Sequence, residues 1–131
     1  MKEIKILHLF PKLLSLYGEY GNVAVFANEL KKAGYAVVVD DWENGELQLS
    51  GYDLIYVGSG TEDNLLEAVK RLAPYAEAIK ESVQSTTWLA TGNAMTLFGK
   101  SITRGDVTSF ALNVFDYTTA IHNANAIWAM R

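Results

Sequence analysis

Short apolar runs alternate with longer stretches of helical periodicity through the first hundred residues. Ile4-Lys5-Ile6-Leu7-His8-Leu9-Phe10 is almost continuously apolar and is closed by Pro11, which predicts a strand near 4–10 covered on both faces. Pro11 to Asn22 reads as a loop. From Asn22 onward Val23, Phe26, Ala27 and Leu30 recur three to four residues apart, predicting a helix over 22–33, with Lys31 and Lys32 near its end and Gly34 as its stop. Tyr35 to Val39 is short and β-branched, a second strand. Asp40 to Gly51 is polar, with one short extended piece at 46–49. Asp53-Leu54-Ile55-Tyr56-Val57 is a third buried strand running into Gly58-Ser59-Gly60. Leu65, Leu66, Val69 and Leu72 then mark a helix near 62–85, which Pro74 interrupts and Tyr75, Ala76, Ile79 and Val83 continue. Thr87 to Ala90 is a fourth strand, followed by a short helical stretch from Asn93 to Phe98. Beyond Gly99 the pattern is extended, over Thr108 to Phe115 and Ala124 to Met130.

Alternating strands and helices predict an α/β class: a doubly wound, mainly parallel sheet with helices on both faces. No internal repeat, low-complexity tract or linker divides the chain, so one domain over residues 1–131 is expected. The chain ends at Arg131 in mid-run after Ala126-Ile127-Trp128-Ala129-Met130, which points to an edge strand or to a domain cut short at its C-terminus. Composition narrows the function classes. Apolar residues make up 50% of the chain, enough for a real core. A net charge of −4 with no basic run makes nucleic acid and anionic lipid poor partners. Cysteine is absent, which removes thiolate metal sites and thiol nucleophiles and fits a reducing cytoplasm. No apolar stretch reaches the ~18 residues of a membrane span, and the N-terminus lacks a signal-peptide pattern, so a cytoplasmic location is expected.

In a parallel α/β sheet, ligands bind at the carboxyl ends of the strands. Three unusual segments follow strands directly: Leu16 to Asn22, Gly58 to Asp63, and Thr91 to Met95. Gly58-Ser59-Gly60-Thr61-Glu62-Asp63 lacks the Lys-Ser/Thr ending of a phosphate loop, and its two acids would repel phosphate. Ser59 and Glu62 have capping-box spacing, so a glycine turn with a good helix cap is the simpler reading of that segment. Ala90-Thr91-Gly92-Asn93-Ala94-Met95 is a strand-to-helix elbow of the kind that presents a nucleophile in hydrolases. The nucleophile position is Gly92, and Thr91 beside it is a weak substitute. His8 reads as a core residue, and His122 stands alone in a polar patch. No catalytic set and no metal-ligand spacing can be assembled.

The three segments resemble class I glutamine amidotransferase domains of the cobyric acid synthase type, which have a flavodoxin-like fold, and in particular the branch of lipid II isoglutaminyl synthase glutaminase subunits. Leu16-Tyr17-Gly18-Glu19-Tyr20-Gly21-Asn22 is similar to that branch's Leu-Tyr-Gly-Asp-x-Gly-Asn. Asp53 to Glu62 is similar to its strand and Gly-Gly-Gly-Gln-Asp loop. Leu89 to Gly99 is in register with Leu-Ala-Ile-Cys-Gly-Gly-Tyr-Gln-Leu-Leu-Gly. The resemblance covers residues 4 to about 119. It implies that Gly58, Ser59 and Gly60 stand at the oxyanion loop, that Gly92 stands at the nucleophile position, and that Tyr17, Asn22, Thr61, Thr91 and Asn93 surround one pocket. Such domains hydrolyse glutamine through a cysteine thiolate and a histidine and pass ammonia to a partner. Here Gly92 replaces the cysteine, and the family's histidine belongs to a C-terminal part beyond the match. The resemblance therefore implies a domain without glutaminase activity, with no cofactor and no metal, that binds a glutamine-like ligand or a Mur-ligase-like synthetase subunit. An apolar sheet edge is compatible with a homodimer. Two alternatives stay open: a hydrolase of other chemistry using Ser59 or Thr91, and a flavodoxin-type small-ligand module.

Overall fold

The computed structural model describes residues 2–16, 19–122 and 125–130, with side chains for 2–16 and 23–120. Four strands form a parallel sheet: β1 (Glu3–Leu9), β2 (Ala36–Trp42), β3 (Leu54–Val57) and β4 (Thr87–Ala90), in the order β2-β1-β3-β4. β1 pairs with β2 from Glu3↔Ala36 to Leu9↔Trp42 and with β3 from Ile6↔Leu54 to Leu9↔Val57, and β3 continues the sheet to β4 from Leu54↔Thr87 to Val57↔Ala90. Because successive strand residues point to opposite faces, each central strand supplies two cores. Ile6 and Tyr56 pack with Val23 of α1 (Glu19–Lys32). Leu7, Leu9, Ile55 and Val57 pack with Leu65, Ala68, Val69 and Leu72 of α2 (Glu62–Leu72) and with Ile79 of α3 (Ala76–Ser82). The near-continuous apolar runs of β1 and β3 are the sequence trace of this two-sided burial.

Expected elements recur with shifted ends. α1 begins at Glu19, inside the expected loop, and β2 extends through Asp40 and Asp41 to Trp42. A parallel partner on β1 extends the ladder past the apolar residues, so the polar character of Asp40 is no bar to strand. The expected extended piece at 46–49 forms no strand. Instead Leu47 and Leu49 are buried against the α2 face, held as Trp42 Nε1 donates to Glu46 O (3.2 Å), Leu47 N–H donates to the Tyr75 hydroxyl (3.3 Å), and that hydroxyl donates to Gly45 O (3.0 Å). The helix expected over 62–85 is broken at Pro74, where a 3-10 turn (Ala73–Tyr75) separates α2 from α3.

The largest departure lies beyond residue 91. A 3-10 helix (Gly92–Phe98) leads to β5 (Ser101–Arg104), β6 (Val107–Phe110), β7 (Tyr117–His122) and β8 (Asn125–Met130), a second sheet in the order β6-β5-β7-β8. Gly105, at φ +59, turns the β5–β6 hairpin. β7 runs parallel to β5, and β8 antiparallel to β7, so β8 is an edge strand. Thr108 to Phe115 is thus not one extended run. β6 ends at Phe110, and residues 111–115 fold back so that the N–H groups of Leu112, Asn113 and Val114 donate to the carbonyls of Leu97, Gly99 and Phe98. Of the other extended expectation, Ala124 lies outside the described residues.

Candidate functional site

The ends of β3 and β4 emerge side by side, because Val57 pairs with Ala90 and the ladder continues one step as Thr91 N–H donates to Val57 O (3.0 Å). From there one chain enters Gly58-Ser59-Gly60 and the other enters the elbow at Gly92. All three loop residues are buried, Ser59 to 1% exposure. The Ser59 hydroxyl donates to Thr91 O (3.0 Å), and Ser59 O accepts from Leu16 N–H (3.0 Å), which brings the turn after β1 onto the same loop.

Gly92 has φ +57, a left-handed conformation that side-chain-bearing residues adopt only with strain. Space is closed as well: a Cβ at this position would overlap the Ser59 Oγ and lie 3.2 Å from the Ser59 Cβ. Asn93, the next residue, spans the gap between the two segments. Its Oδ1 accepts from Gly60 N–H (3.1 Å), and its Nδ2 donates to Gly60 O (2.7 Å). The Asn93 carboxamide therefore satisfies both backbone groups of Gly60, much as a second backbone would. Gly60 is also confined, since a Cβ there would run into the Leu14 side chain.

Five of the expected residues, Gly58, Ser59, Gly60, Gly92 and Asn93, thus meet in one cluster, in which Gly58, Ser59 and Gly60 are buried, Asn93 is half-buried and Gly92 is exposed. Thr91 contributes its carbonyl to that cluster, while its hydroxyl hydrogen-bonds the Tyr56 hydroxyl (3.0 Å). Tyr56 and Thr91 line a cavity of about 190 Å³ on the α1 face, whose walls are Ile6, Val23, Phe26, Leu54 and Leu89. Thr61 turns outward and is exposed, with its hydroxyl accepting from Asn64 N–H (3.2 Å) as the N-cap of α2. This corrects the capping-box expectation. Ser59 faces inward, and Thr61 caps the helix, reinforced by Glu62 and Asp63 in the first turn. Tyr17 lies outside the described residues, as does the side chain of Asn22, so neither can be placed at the cluster. His8 is fully buried with its ring edge-on to Tyr56 at 5.2 Å. The His122 side chain is outside the described residues. Among the described residues no group of three His, Cys, Asp or Glu side chains could hold a metal ion, and no helix is long and apolar enough to cross a membrane.

Chemically, the Ser59 proton is committed to a backbone carbonyl and the Thr91 hydroxyl is paired with Tyr56. Neither arrangement primes an oxygen for attack, which needs a base as the proton's acceptor. The contacts that sequence reading missed are the Asn93–Gly60 pair and the bond from Asn64 Nδ2 to Leu13 O (3.0 Å). They join residues 33 and 51 positions apart, for which no local pattern exists.

Fold and site together define a mixed α/β protein with a parallel four-stranded sheet, consistent with a flavodoxin-like fold, whose strand ends carry a glycine loop against a left-handed elbow. No family model matches the chain. Among curated proteins it is similar to the GatD subunit of lipid II isoglutaminyl synthase (glutamine-hydrolyzing) from Staphylococcus aureus (strain N315), at 27% identity over 124 residues. That similarity covers 91% of this chain and 50% of the relative, so the chain spans about half the length of the protein it matches. The relationship to a glutamine amidotransferase subunit is a distant one.

Proposed function

We propose that this chain is a single glutamine amidotransferase-like domain over residues 1–131, of the cobyric acid synthase type and doubly wound through its parallel sheet, that lacks glutaminase activity and serves as a binding or partner module. The observation that carries this reading is Gly92. It stands at the elbow where a nucleophile would be presented, has no side chain to attack with, and has the space for one filled by Ser59. Covalent amide hydrolysis needs a nucleophile and a proton carrier, and a general acid–base is worth roughly 10²–10⁴ in rate. By its name the relative is one subunit of a glutamine-hydrolysing synthase. A Mur-ligase-like synthetase subunit is accordingly the partner we assign, in cell-wall synthesis in the cytoplasm, with no cofactor.

Ammonia release from glutamine by the wild-type chain is the direct test, and no turnover above buffer is expected. Steady release would overturn the reading, since no described residue would account for it. Copurification of the complete protein from its host lysate tests the partner, with a Mur-ligase-like synthetase as the expected companion.

A further inference from the structure

The cluster at the strand ends contains an occupied amide site. Gly60 N–H is a backbone donor in the loop that our functional reading places at an oxyanion. Its acceptor is the carbonyl oxygen of a primary carboxamide, that of Asn93, and the same carboxamide returns its N–H to Gly60 O. A primary amide is the chemical group that an amidotransferase-like pocket would receive from outside. Alongside it, the Ser59 side chain fills the volume that a side chain on residue 92 would take, anchored by its bond to Thr91 O. Both features close the site from within, through residues adjacent in space and from two different strand ends.

We propose that this site is self-occupied: Asn93 supplies an internal carboxamide to Gly60 and Ser59 plugs the nucleophile position, so that a small primary amide can reach Gly60 only when position 93 is opened, and residue 92 can carry a side chain only when position 59 is opened. The inference rests on the amidotransferase-like reading for the identity of the ligand, a primary carboxamide, but not for the geometry. It also makes Ser59 and Gly92 a coupled pair. Side chains can be exchanged across the gap but cannot be present on both sides of it, because Gly92 and Ser59 share one space.

Because the chain has no cysteine, a thiol placed at residue 92 is a unique reporter. Alkylation by iodoacetamide, itself a small primary carboxamide, is compared with disulfide formation by methyl methanethiosulfonate, which has no amide. Three variants are measured: Gly92→Cys, Ser59→Gly/Gly92→Cys, and the triple variant that adds Asn93→Gly. Gly92→Cys alone is expected to melt earlier than the double variant, which relieves the overlap. Adding Asn93→Gly is expected to raise the iodoacetamide rate relative to the amide-free reagent by roughly tenfold or more, as a freed backbone donor would for an amide oxygen. Equal melting of Gly92→Cys and the double variant would overturn the coupling. An unchanged rate ratio on adding Asn93→Gly would overturn the self-occupied amide.

A second measurement avoids the engineered thiol in case the triple variant does not fold. Acetamide is titrated into wild type and into Asn93→Gly while the Gly60 amide resonance is followed. A saturable shift only in Asn93→Gly supports the proposal, and no shift in either, or the same shift in both, refutes it. Ammonia release by the wild type would refute the functional reading separately, so the two failures are distinguishable.

Discussion

The two sheets of this protein are built on different terms. In the parallel sheet, β1 and β3 are covered on both faces, and Ile6, Leu9, Ile55 and Val57 are wholly buried. Two of its three connections run through helices, β1 to β2 through α1 and β3 to β4 through α2 and α3, and their apolar stripes pack back on the sheet. In the second sheet, the edge strand β6 leaves Val107 65% and Phe110 88% exposed. That sheet is held to the rest by a narrow seam: Leu97, Phe98, Ile102 and Leu112 join the common core. Tyr117 packs its ring and carbonyl on Gly99 and donates its hydroxyl to Met95 O, and Arg104 reaches Glu62 and Asp63. A fold can thus carry its stability in one layer and leave another to be positioned by a few contacts.

That contrast predicts where mutation hurts. Ile55→Ala should cost about 2–5 kcal/mol in denaturant unfolding, through lost burial and a cavity between β3 and α2. Phe110→Ser should stay within about 0.5 kcal/mol, as an exposed edge residue. Similar costs at the two positions would erase the distinction between the sheets.

The seam is tested at two glycines of the second sheet. A Cβ on Gly99 would lie 2.7 Å from the Tyr117 carbonyl oxygen, so Gly99→Ala must push β7 away and should cost about 1–3 kcal/mol. Gly105 faces open space, and only its φ of +59 penalises alanine, by about 1–2 kcal/mol. Amide exchange should separate them: Gly99→Ala loosens β5 and β7 together, whereas Gly105→Ala affects the hairpin alone.

One tyrosine in each region gives a pH probe. Burial pushes the Tyr117 phenol up to about 12, and burial plus the hydrogen bond to Asp40 pushes Tyr52 up to about 12. The folded state keeps these protons while the unfolded chain, with ordinary values near 10, releases them. Stability is therefore unaffected by them below about pH 10 and falls as pH rises from about 10 to about 12. Tyr117→Phe and Tyr52→Phe should each flatten that fall in pH-dependent unfolding curves. A slope unchanged in both variants would show that neither phenol holds its proton in the fold.

A small effect is also expected at Arg104. Its bonds to Glu62 and Asp63 are both 3.0 Å but partly exposed, so Arg104→Ala should cost no more than about 1 kcal/mol at low salt, and less at high salt. A larger, salt-insensitive loss would mean that this bridge, and not the apolar seam, docks the second sheet.

Legibility in the sequence follows the same division. β1, β3 and α2 could be read because burial on two faces demands unbroken apolar runs, and a helix on one face demands a stripe, both of which are local patterns. Pro74 announced its own break, and the Gly92 elbow announced itself by following a strand at once. β5 and β7 were missed because each is short and polar, Ser101-Ile102-Thr103-Arg104 and Tyr117-Thr118-Thr119-Ala120, and becomes a strand only by pairing with the other, Ser101 with Thr118 and Arg104 with Ile121, across a separation that no local pattern spans. At the site, the sequence determined which residues arrive at the strand ends: Gly58, Ser59, Gly60, Thr91, Gly92 and Asn93. What only tertiary structure decided is how they are used there. Ser59 turns inward while Thr61 caps the helix, and Asn93 spends its carboxamide on Gly60, because hydrogen bonds between segments depend on a separation in space that no spacing along the chain encodes.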